Sequence, residues 1–267
     1  MRRRDAIAVA ACGGWLRAED DSVETARKIA AVQKELPWFW SLPIEGLSEI
    51  PYTYETRRFD RRVDSSGREL ESQKLVLERI ALDGGSFYRC LSQNDAVPCS
   101  KSMTEALDLD SRRRSAFTSA DKERVARIGA ERRQNRRLFW SDFATGFRFT
   151  RPGPGRLRLE AASAKGSRRP GSELLGNVSG MLWHNESHHI TRFEYKALAP
   201  LAGGTKWSEA GTQFAIELAP VENTYLPVRA SMRRSKPPSR TTEESSMDFL
   251  NYRRFAVESQ IKFADPP

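Results

Sequence analysis

The sequence predicts an α+β protein built on antiparallel sheet. Three observations carry this. Residues 69–82, ELESQKLVLERIAL, alternate apolar and polar side chains over a long run, the period-two signature of a strand with one covered face. Turn signals at 65–67 (SSG) and 83–85 (DGG) divide the neighbouring alternating runs into a meander. A helical stretch then separates this meander from a second set of alternating segments, and runs of strands interrupted by helices point to α+β.

The first element is a helix expected over 21–36. Val23, Ala26, Ile29, Ala30 and Val32 fall near one face, Asp21 can cap it with Glu24 three residues on, and Pro37 stops it. The aromatic knot PWFWSLP follows; a core plug explains it more simply than a membrane-interface loop. YTYETRRF from Tyr52, the run at 69–82 and SFYRCL from Ser86 make three strands. Cys90 and Cys99 bound the next loop, and an even pair of thiols in an oxidising compartment is expected to form a disulfide.

Residues 100–149 are expected to be a basic helical insert. Thr118 with Asp121 forms a capping box that opens SADKERVARIGAERRQNRRLFW. Arg132, Arg133, Arg136 and Arg137 read as a solvated face near the C-terminal helix dipole, in preference to a nucleic-acid contact, and no nucleic-acid partner is expected. RPGPG breaks the helix. Strands are then expected over 156–160, 178–183, 190–198, 212–218, 225–233 and 250–263, with the polar stretch RRSKPPSRTTEESS as a mobile loop.

The first residues, MRRRDAIAVAACGGWLRAEDD, have the layout of a secretory signal peptide: basic start, short apolar stretch, small residues. Cleavage after Ala18 is expected, and Arg3-Arg4 gives a loose likeness to a twin-arginine leader. The mature chain is then 19–267, a single domain carrying the insert near 100–149. Its formal charge falls from +9 to +6, still a balance that attracts anionic partners, so peripheral membrane contact is open to it.

All three histidines lie in GMLWHNESHHITRFEYK, residues 180–196. His184, His188, His189 and Glu186 are the one candidate metal set. They crowd a single turn between two alternating runs, whereas zinc needs three or four ligands fixed by a supporting shell. An exposed polar turn is the reading preferred. No nucleophile elbow, phosphate loop or zinc-protease motif is present, so no catalytic residue and no cofactor are assigned.

GMLWHNESHHITRFEYK, YLPVRASMR and FLNYRRFAVES together resemble the lipoprotein-localisation family (LolA/LolB-like). In that family a strand with Gly and Trp turns into a strand with Ile-x-Arg, a Leu-Pro strand follows, and a Tyr-x-x-Phe strand closes the sheet. PYTYETRRF and the run to SFYRCL resemble exported proteins of the same layout. The resemblance implies a strongly curved antiparallel sheet, an unclosed half-barrel covered by helices on its concave side. It further implies a non-catalytic periplasmic or secreted protein that binds a lipid or an acylated protein. The bulky residues available to such a cavity are Trp183, Phe193, Tyr195, Phe214, Ile216, Leu218, Val228 and Phe255; the same residues would also fill a solid core. The alternative function is an envelope scaffold whose basic helix docks an acidic protein.

Overall fold

The computed structural model describes residues 21–34, 52–82, 85–115, 118–161, 177–200, 209–236 and 240–254. The expected leader at 1–18, the aromatic knot and Phe255 lie outside them. Helix α1 covers 21–34, its apolar face marked by buried Ala26, Ile29 and Ala30. Strands β1 (Tyr52–Val63), β2 (Glu69–Leu82) and β3 (Gly85–Gln93) form the first meander. Helices α2 (Lys101–Ser115) and α3 (Ser119–Gly146) follow. Then come β4 (Phe147–Gly153), β5 (Arg156–Ala161), β6 (Val178–His184), β7 (Ile190–Ala197), β8 (Gln213–Val221), β9 (Thr224–Lys236) and β10 (Thr241–Arg254).

All ten strands of the described residues join one unclosed antiparallel sheet in the order β3-β2-β1-β10-β9-β8-β7-β6-β5-β4. The two meanders meet where β1 pairs with β10, so the first and last strands are mid-sheet neighbours. The helical segment connects β3 to β4, the two opposite edges.

The capping box at α3 is present in both directions: Asp121 N–H donates to the Thr118 hydroxyl, and the Asp121 carboxylate accepts from the Thr118 backbone N–H (3.0 Å). Two boundaries differ from expectation. The helix stops at Gly146, and Phe147–Gly153 is already strand, so RPGPG supplies the β4–β5 hairpin. The polar stretch expected as a loop is largely strand: β9 runs to Lys236 and β10 begins at Thr241. Cross-strand charge pairs account for this. Arg233 stands opposite Glu244 and Arg234 opposite Glu243, each an ion pair (3.4 and 3.0 Å). Opposite charges at facing positions stabilise an antiparallel pair without apolar alternation.

One face of the sheet carries the core. Phe147 and Phe149 of β4, Leu157 and Leu159 of β5, Leu182, Phe193, Tyr195, Phe214 and Ile216 of β6 to β8, and Met247 and Phe249 of β10 belong to one buried cluster. The end of α3 joins it: the Phe143 ring lies 5.7 and 5.3 Å from those of Phe147 and Phe149 and 4.8 Å from Trp140. Ala26, Ile29 and Ala30 place α1 in the same cluster. Cys90 and Cys99 form the expected disulfide, tying β3 to the turn before α2.

Candidate binding trough

The opposite face of the sheet holds an open trough of about 950 Å³. Its origin is legible from register. Strand side chains alternate between faces, and residues paired across neighbouring strands share a face. One such line runs Arg158, Met181, Glu194, Ala215, Ser231, Ser246, Phe59, from β5 to β1. The next, two residues along each strand, runs Ser179, Lys196, Gln213, Arg233, Glu244, Arg61. Both lines border the trough, and Glu160 joins them from β5. The hollow exists because Ala215, Ser231 and Ser246 put three small side chains side by side, with Phe59 and Met181 as apolar ends.

A third line flanks the first on its other side: Arg156, Trp183, Arg192, Glu217, Arg229, Asp248, Arg57. It is a ladder of alternating charge. Arg229 pairs with Asp248 (2.9 Å) and Arg192 with Glu217 (3.2 Å). The hydrogen bond to Asp248 holds the Arg229 guanidinium above its already high ordinary pKa, helped by the charges of Asp248 and Glu217. Arg192 also bonds Glu194 and lies over the Trp183 ring, 5.2 Å from its centre. These long side chains form one bank.

The resemblance-based residues divide between the faces. Phe193, Tyr195, Phe214, Ile216 and Leu218 are buried in the core cluster. Tyr195 and Phe214 also border the trough, but they are only 6% and 3% exposed and their side chains alternate away from it. Burial pushes the Tyr195 phenol far above its ordinary pKa, so it stays neutral. Trp183 stands in the charged bank, and Val228 is half-buried in β9. Among the described residues, the helical rings that reach the sheet pack on its aromatic face, away from the trough. The residues that make the trough escaped sequence reasoning because they come from seven strands; only a full strand register would have aligned them.

The histidines are split by their turn. Asn185 organises it: its side-chain carbonyl accepts from His189 N–H (2.9 Å) and its amide donates to the Tyr225 hydroxyl (2.8 Å). His189 stacks on Tyr225, 4.5 Å between rings, while His184 and His188 face each other at 5.5 Å. His188 sits at φ 61, and burial, then His184, then Lys28 lower its pKa below the ordinary histidine value. Among the described residues no group of three metal-ligating side chains comes together. The basic cluster of α3 is described only at Arg137, which is exposed; the side chains of Arg132, Arg133 and Arg136 lie outside what the structure describes.

No protein-family model matches the chain, and no curated protein matches it. The solved structures similar to it include the following two. One is a DUF1329 family protein from Desulfovibrio piger, at 8% identity and TM-score 0.33, covering 89% of this chain and 95% of that one. The other is a putative outer membrane lipoprotein-sorting protein domain from Vibrio parahaemolyticus, at 8% identity and TM-score 0.32, covering 91% and 95%.

Proposed function

We propose that this is a non-catalytic, exported binding protein that takes the acyl chain of a lipid or acylated protein in the trough, with the sheet bent around it as a half-barrel. The observation that carries the reading is a single hollow shared by seven consecutive strands on one face. Six strand spacings make it about 29 Å long, against about 15 Å for the acyl layer of one bilayer leaflet. An extended chain fits along it, over small side chains and between Phe59 and Met181. The volume of about 950 Å³ is that of a ligand site. The disulfide fits an oxidising compartment such as the periplasm.

Blocking the floor tests this. Ser231 is exposed on the trough, so Ser231→Phe fills it without touching the core. Wild type is expected to bind a fluorescent long-chain fatty acid and Ser231→Phe to lose at least about tenfold in affinity, a change of 1.4 kcal/mol, with unchanged melting. Equal binding by both proteins, or none by wild type, overturns the reading.

One observation favours a second reading. Over 119–138, α3 adds nothing to the core among the described residues and exposes Arg124, Arg127 and Arg137. In that reading this surface docks an acidic protein, and charge reversal at those arginines abolishes its capture while leaving fatty-acid binding intact.

A further inference from the structure

Resting on the lipid reading, we propose that the guest's polar end is zwitterionic: a phosphate with a primary ammonium, as in a phosphoethanolamine headgroup. Seven ionised side chains border the trough. Four are ion-paired within the protein. Arg61 and Arg233 share Glu244 (2.6 and 3.4 Å), and Glu194 is held by Arg192. The other three, Arg158, Glu160 and Lys196, have no ion-pair or hydrogen-bond partner among the described residues, and all stand at the β5–β7 end.

Their placement defines a headgroup site. Arg158 and Glu160 are neighbours on the trough side of β5. Lys196 lies two strands away on β7, with Met181 and Ser179 of β6 between them. Two strand spacings are about 10 Å, a gap that the long arginine and lysine side chains close onto a phosphate. Arg148 stands opposite Glu160 on β4, outside the trough lining, and a lone phosphate between Arg158 and Lys196 would give Glu160 no partner within the trough. A head carrying an ammonium pairs all three groups, and a primary ammonium offers Glu160 three N–H donors. A quaternary ammonium offers none and is held instead by aromatic faces. The nearby ring, Trp183, is already covered by Arg192. From this end the chain runs over Met181 toward Ala215, Ser231 and Phe59.

The test uses the full chain and water-soluble short-chain diacyl lipids of equal chain length. One carries phosphoethanolamine, one phosphoglycerol and one phosphocholine, each displacing a fluorescent fatty acid. Wild type is expected to prefer phosphoethanolamine by about tenfold, the worth of one hydrogen-bonded charge pair. Glu160→Gln is expected to erase that preference while phosphoglycerol binding holds or improves. Arg158→Gln with Lys196→Gln is expected to weaken all three. Displacement by all three lipids with equal midpoints, or a preference that survives Glu160→Gln, overturns the headgroup assignment alone. No displacement by any lipid overturns it together with the lipid reading beneath it.

Discussion

Gly180 stands directly opposite Tyr195 on the neighbouring strand, and a Cβ placed on Gly180 would lie 2.0 Å from the backbone carbonyl oxygen of Glu194. The obstacle is main chain and cannot rotate aside. Gly180 belongs to the core-facing line Leu159, Gly180, Tyr195, Phe214, so the close approach of β6 to β7 falls beneath the core.

Gly180→Ala is therefore expected to cost about 1–3 kcal/mol by forcing the two strands apart. Ser179→Ala, one residue away, is the control and should be near neutral. Urea denaturation of the two variants beside wild type measures this, and a Gly180→Ala midpoint equal to that of wild type would contradict the close approach.

The disulfide spans nine residues, and Cys99 is buried at the turn into α2. Cys90→Ser with Cys99→Ser is expected to lose about 2–3 kcal/mol, the chain-entropy value for a loop of that size. Wild type unfolded in reductant should match the double variant. If both are as stable as the oxidised protein, the bridge contributes nothing to stability.

His188 gives a pH signature. Burial, His184 and Lys28 hold its folded pKa below the ordinary value of 6.5, so the unfolded chain takes up the proton first on acidification. Stability is expected to fall as pH drops below about 6.5, down to the depressed folded value, and to be flat above it so far as this group is concerned. His188→Asn removes the titration while suiting the left-handed backbone at φ 61. Denaturation midpoints across this window should slope less in the variant; parallel profiles would show that His188 is not the source.

Much of the sheet was legible in the sequence because its strands have one apolar side. Residues 69–82 are strand from end to end, as alternation indicated. The α3–β4 boundary was hidden by composition. Phe139, Trp140 and Phe143 fall at helical spacing and Phe147 and Phe149 at strand spacing, so five aromatics blur the change of period. The end of the β9–β10 hairpin was hidden for the opposite reason. Arg233, Arg234, Glu243 and Glu244 stabilise it through charge pairing and leave no apolar pattern to read. The trough lay a level deeper. Nothing in Phe59, Ser231 or Ser246 alone marks a site; they become one only when three separate strands bring them into line.

The path of the chain between the two sheet edges has a mechanical consequence. Because β3 and β4 are opposite edges joined through α2 and α3, any change in the distance between those edges has to be taken up by the helical segment. The 28 residues of α3 measure about 42 Å, and ten strands laid flat would span about 43 Å. α3 alone is therefore about as long as the flat sheet is wide.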